Sequence, residues 1–165
     1  MTRFLSPHFV DARVSFALLV LRVAAGTALF LHGLQKMAGS PFGWMGPNGW
    51  APPFLQFLAA FAECFGGLAL IVGLLTPLAA LGIAITMAVA AFVVHVAGGD
   101  PFVRLFGGPE AASLLNLPQS LVQVGGRGGS WELAAMFFAA AFVLLLAGPG
   151  RYSLDAALFS RKRPF

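Results

Sequence analysis

The sequence predicts an all-α integral membrane protein, a four-helix bundle with its N- and C-termini in the cytoplasm. Three observations carry this reading. Of 165 residues, 59% are hydrophobic and 10% charged, where a soluble domain has roughly 45–50% and about 25%. Mean hydropathy is +0.86, and four separate windows approach the length of about 20 apolar residues that crosses about 30 Å of hydrocarbon. Basic residues gather before the first window and after the fourth. The composition excludes a disordered chain and a water-soluble enzyme with an ordinary polar shell. Ten basic against six acidic residues are too few and too scattered for a nucleic-acid surface, so lipid is the expected surrounding and no nucleic-acid partner is expected.

The first span is expected at about residues 14–34. Its small residues resemble a leader peptide's, but Arg22 interrupts the apolar run where such a segment carries no charge, so it is read as retained. The second span, about 53–75, opens on Pro52-Pro53, and the third covers about 78–96. Thr76-Pro77 separates them, which demands a tight antiparallel hairpin; proline is tolerated there because a helix start has no N–H bond to lose. The fourth, about 131–147, closes at Gly148-Pro149-Gly150. The connections 35–52 and 97–130 are rich in Gly and Pro; the first holds Trp44 and Trp50, suited to the headgroup level, and the second could form one short amphipathic turn between Pro109 and Leu115. Arg3, Arg13, Arg151, Arg161, Lys162 and Arg163 fall on one side, against Lys36, Arg104 and Arg127 on the other. The positive-inside rule then puts both termini in the cytoplasm and both long connections outside. No repeat or linker divides residues 1–165, which read as one transmembrane domain of a multi-pass cell-membrane protein.

Ionisable groups within hydrocarbon cost a few kcal/mol or more, so they turn inward and find partners. On the first span Arg22, Gly26, Leu29, Gly33 and Lys36 form a seam spaced four, three, four and three. Gly there lets a neighbouring helix approach closely, and His32 lies just off the seam. On the second span Gln56, Glu63 and Leu70 share a face beside Gly66 and Gly67. Counting from the span ends puts Arg22 and Glu63 both near the bilayer centre, where an Arg22–Glu63 pair is the simplest way to hold two charges. His32, Lys36, His95 and Glu132 are expected at the outer boundary, converging on a polar vestibule above Glu63.

Each reading has a plainer rival. An Arg22–Glu63 pair could fix helix register and do no chemistry, Lys36 could be a snorkelling anchor, and His95 and Glu132 could simply satisfy nearby polar groups. His32 and His95 on different helices are the ligand type of a b-type haem, but no flat apolar pocket is signalled, and the reading weighs against haem. His32, His95 and Glu132 are acceptable metal ligands, yet nothing in their spacing demands a metal, and none is assigned. Cys64, the one cysteine, excludes an internal disulfide and reads as a buried, inert thiol.

The chain resembles the DoxX family of small four-helix membrane proteins over about residues 14–158. The resemblance is carried by Leu21-Arg22-Val23-Ala24-Ala25-Gly26, His32-Gly33-Leu34-Gln35-Lys36, Ala62-Glu63-Cys64-Phe65-Gly66-Gly67 and Val72-Gly73-Leu74-Leu75-Thr76. Val94-His95, Trp131-Glu132 and Gly148-Pro149-Gly150-Arg151-Tyr152-Ser153-Leu154-Asp155 extend it. It departs at Pro77, where the family often has a basic residue, and in a long 97–130 connection. The resemblance implies association with membrane oxidoreductase systems: relatives contribute a subunit to quinone-linked thiosulfate oxidation, others are linked to thiol homeostasis and oxidative-stress defence. It marks Arg22, Lys36, Glu63, His95 and Glu132 as matching the family pattern, and a bacterial inner membrane as the location.

Two functions follow as expectations. In the first, the chain is a membrane subunit of a quinone- or thiol-linked redox system. A quinone head group would sit among Lys36, His32, His95, Glu132 and Gln56, with Glu63 and Arg22 as the proton-handling pair; electrons would come from a partner or a bound cofactor. In the second, it is a non-catalytic accessory subunit, packing against a larger membrane complex or its own copies. A transporter is a weaker third reading, because neither inverted repeats nor broken helices are visible.

Overall fold

The computed structural model describes residues 11–105, 118, 122–124 and 129–159. Among these the chain is mostly helical: α1 (Ala12–Gly39), α2 (Pro53–Val72), α3 (Thr76–Val89), α4 (Glu132–Ala147) and a short α5 (Leu154–Phe159). Beyond α3 the chain winds on as a wider π-helix, Ala90–Val96, so that Thr76–Val96 is one continuous apolar rod. Three helices, Ala12–Gly39, Pro53–Val72 and Thr76–Val96, are long and apolar enough to cross a membrane. The fourth window is a helix of 16 residues, about 24 Å at 1.5 Å per residue. Two features carry no sequence expectation: α5, and a two-stranded parallel ribbon in which β1 (Val103–Leu105) pairs with β2 (Val122–Val124). The turn expected between Pro109 and Leu115 lies outside the described residues.

The chain groups into two compact units. One takes in the chain up to Thr86 and resumes at Ala140; the other is Met87–Ala139. In the first, α1 and α2 run backbone against backbone. A Cβ on Gly26 would lie 2.7 Å from the Gly67 carbonyl oxygen, and one on Gly33 would collide with the Cys64 backbone. On the neighbouring edge of α2, Gly66 faces the Ile83 side chain of α3. The faces are distributed as lipid demands. Gln56, Ala60, Glu63, Cys64, Gly67 and Leu70 of α2 are buried, while Phe54, Leu58, Phe61, Phe65, Leu68 and Val72, again three and four apart, are exposed. Polar groups inside and bare apolar stripes outside invert the pattern of a water-soluble helix.

The α2–α3 hairpin turn closes on a left-handed glycine. Gly73, at φ +71°, donates to the carbonyls of Ala69 and Leu70, and Leu74 reaches back to Ala69, the usual C-terminal seal of a helix. Leu75 follows at φ +49°, a conformation that costs a branched residue about 1–2 kcal/mol. Asp155 offsets this cost: Oδ1 accepts from the Leu75 amide at 2.6 Å and Oδ2 from the Thr76 amide at 2.8 Å.

In the second unit, Trp131 packs against Phe102, with ring centroids 4.5 Å apart, and against Phe92 at 6.5 Å. The Trp131 and Glu132 amides donate to the carbonyls of Pro101 and Phe102, tying the start of α4 to the segment that leads into β1.

Candidate functional site

Glu63 pairs with Lys36. The Lys36 ammonium lies 2.6 Å from each oxygen of the carboxylate, whose side chain is only 4% exposed against 24% for Lys36. This corrects the Arg22–Glu63 pair expected from the sequence. The glycine contacts explain it: Gly33 sits opposite Cys64, and Gly26 opposite Gly67 and Ile71. Arg22 is therefore eleven residues, about 16 Å along the helix, from the level of Glu63, whereas Lys36 is one turn from it. Counting depth from assumed span ends fails because α1 runs on to Gly39.

A loop covers the pair. The Lys36 ammonium lies 4.3 Å from the centroid of the Trp44 ring, a cation–π contact. Trp44 is held in turn: its indole N–H donates to the Gln56 carbonyl at 2.8 Å. The Gln56 side chain, expected to meet a ligand, instead spans the loop, accepting from the Met45 amide at 3.0 Å and donating to the Ala51 carbonyl at 2.8 Å. Beside them Phe42 and Phe57 stack at 4.8 Å. Trp44, read from the sequence as a headgroup-level residue, thus becomes the aromatic wall of the ion pair; no local spacing signalled it. The His32 side chain is exposed on α1.

Arg22 has another task. Fully buried, its guanidinium donates to the Leu70 carbonyl at 3.3 Å and to the Tyr152 carbonyl, and it feels the charge of Asp155. A Cβ on Gly73 would overlap the guanidinium. Arg22, Gly73 and Asp155 together clamp the hairpin turn to the segment after α4. Asp155 was visible in the sequence only as the end of a family motif.

In the other unit, His95 Nδ1 lies 2.8 Å from Asp100 Oδ2, and Glu132 has Ser130 as its partner, at 3.4 Å. Each of the two thus has a nearby polar partner.

The DoxX family model matches residues 17–96, the stretch holding Arg22, Lys36, Glu63 and His95. An uncharacterized protein of Haemophilus influenzae is 35% identical over 103 residues, 62% of this chain and 77% of the relative. The chain belongs to the DoxX family. No solved structure matches it. DoxX membership and three apolar helices of spanning length make it a membrane protein. Within the DoxX match, the ion pair, its glycine-set register and the Arg22 side of the turn clamp are all present, while Trp131, Glu132 and Asp155 lie beyond it.

Proposed function

We propose that this DoxX protein is a membrane subunit of a quinone- or thiol-linked redox system, with Glu63 as its proton-accepting group and Lys36 as the partner that holds the acid's charge. One observation supports this above others: an almost fully buried carboxylate whose cation is itself partly exposed and roofed by an indole. A lysine–carboxylate pair kept only for helix register needs no aromatic roof and no half-open side. The residues suit a flat head group bearing carbonyl oxygens. Lys36 would donate to a carbonyl, Trp44 would offer a ring face, and Glu63 would take a proton. A bound quinone would supply two-electron, two-proton chemistry, and its electrons would come from a partner or bound cofactor. In this reading α4 is the fourth span, both termini are cytoplasmic, the membrane is a bacterial inner membrane, and His32, His95 and Glu132 lie towards the outer boundary. Arg22 leaves the proton-handling pair and becomes structural.

The rival is a non-catalytic accessory subunit docked on a larger membrane complex or on further copies of itself. Small-residue seams would be its natural contact, but Gly26, Gly33 and Gly67 are already used between α1 and α2, which favours the first reading. The test is Glu63→Gln in the full-length chain in native membranes, following quinol formation with thiosulfate or a small thiol as donor. Loss of activity in a chain that still folds is expected. Unaltered turnover would overturn the proposal.

A further inference from the structure

The second unit holds an imidazole whose surroundings are more specific than surface chance requires. His95 stands near the end of the π-helical segment Ala90–Val96, with which the rod ends. The chain then reverses through Gly98 and Gly99, the latter at φ +78°, and the Asp100 amide donates to the His95 carbonyl at 2.9 Å. That reversal returns the Asp100 carboxylate to its own helix end, where Oδ2 meets His95 Nδ1 at 2.8 Å. The other oxygen, Oδ1, lies 3.9 Å from Arg104. Arg104 is fixed by the β1–β2 ribbon, paired with Gln123, and its Nε donates to the Gly129 carbonyl at 3.1 Å. A Cβ on Gly129 would come within 2.9 Å of His95 Cε1 and 3.0 Å of Nδ1, so the bare glycine backbone lies against the ring itself.

We propose that Asp100 is a positioning residue that locks His95 in its Nδ1–H form, and that the freed Nε2 is the acceptor site for a ligand carrying an ionisable O–H or S–H, a quinol hydroxyl or a small thiol. A carboxylate beside one imidazole nitrogen holds the proton there and leaves the other as a lone pair. His95 is 28% exposed, and Nε2 has no hydrogen-bond partner among the described residues. The Asp100 carboxylate, steadied on its far side by Arg104, balances any charge the ring gains when it accepts a hydrogen bond or the proton itself. Among the described residues, Asp100 and Arg104 are the charged groups around this ring. No electron transfer is assigned to the site; it binds and orients. Only the choice of ligand class rests on the redox reading, and the tautomer is measured independently of Glu63.

The test uses the full-length chain in lipid nanodiscs, labelled with nitrogen-15 in its histidines. There are three, so His95→Gln assigns the signal. In its neutral ring, identified by the nitrogen shifts themselves, His95 should show a protonated Nδ1 and a bare Nε2. Asp100→Asn should release the Nε2–H form. A short-tailed benzoquinol and 2-mercaptoethanol are then titrated separately. A shift of the Nε2 signal with either supports the site and names the source, and Asp100→Asn should weaken that binding by about tenfold or more. An Nε2–H form in the unaltered protein, silence with both probes, or equal binding after Asp100→Asn would each overturn the proposal.

Discussion

The two ends of the α1–α2 pair carry the same kind of residue and use it in opposite ways. Arg22 and Lys36 lie on one seam of α1, separated by the close contacts at Gly26 and Gly33. At the Arg22 end the cation is fully buried and spread over two backbone carbonyls, next to a turn that Asp155 holds through two amides. At the Lys36 end it is partly exposed and concentrated on one carboxylate. Guanidinium, planar and many-donored, suits the first role, and a compact ammonium suits the second. The difference separates a cation spread over backbone carbonyls from one paired with a single buried carboxylate. Burial depth alone does not make a functional site; what the cation faces does.

The largest expected effect breaks the structural end. Arg22→Leu strips the Leu70 and Tyr152 carbonyls of their donor and leaves Asp155 buried without its cationic neighbour. Removing one partner of a buried charge set costs about 3–5 kcal/mol. Unfolding in mixed detergent micelles should show a loss of this size. Arg22→Lys should recover only part of it, since an ammonium lacks the planar fork that reaches two carbonyls. A melt unmoved by Arg22→Leu would mean that the clamp on the hairpin does not hold the fold.

The functional end should respond differently. Glu63→Leu leaves the Lys36 ammonium without its acid, but Lys36 is partly exposed and can turn towards water, so a smaller cost of about 1–3 kcal/mol is expected. The double change Lys36→Leu with Glu63→Leu should return stability close to the starting value, because replacing a buried pair with apolar side chains of similar size is often neutral or better. Redox-linked activity should stay absent in the double variant. Stability restored without activity is the signature of a pair kept for chemistry; a double variant as unstable as the sum of its parts would mean that the two side chains do not stabilise one another.

Much of this was legible in the sequence, and the failures have physical causes. The helices at the four apolar windows follow directly from composition and from the proline and glycine punctuation. Gly26, Gly33 and Gly67 were readable as contact points, and used as a ruler they would have placed Lys36, not Arg22, beside Glu63. Counting from span ends went wrong because hydropathy marks where lipid contact ends, while the helix itself continues through His32-Gly33-Leu34-Gln35-Lys36 to Gly39. The β1–β2 ribbon has three residues per strand, too short for an alternating pattern to stand out. The six residues of α5 are similarly brief. Its cap was visible in retrospect: Ser153 accepts from the Ala156 amide, the usual work of a serine before a helix. Trp44 and Asp100 were missed because each finds its partner only when the chain turns back on itself.

The smallest expected effect concerns the roof over Lys36. Trp44→Leu removes the ring face but keeps an apolar side chain, so it should cost about 0.5–1 kcal/mol, the value of a cation–π contact near a surface. Gln56→Leu should do slightly more, since its amide ties the loop at Met45 and Ala51 and both backbone groups lose a partner. If the roof serves only stability, activity should follow the melt and barely change in either variant. If Trp44 is the ring face against which a head group lies, Trp44→Leu should raise the quinone concentration needed for half-maximal rate and leave the maximal rate nearly intact. Trp44→Phe, which keeps a ring, should restore most of the difference. Kinetics of Trp44→Leu and Trp44→Phe in membranes separate the two outcomes, and a rise that Trp44→Phe does not reverse would remove the indole from the binding site while leaving the Lys36–Glu63 pair in place.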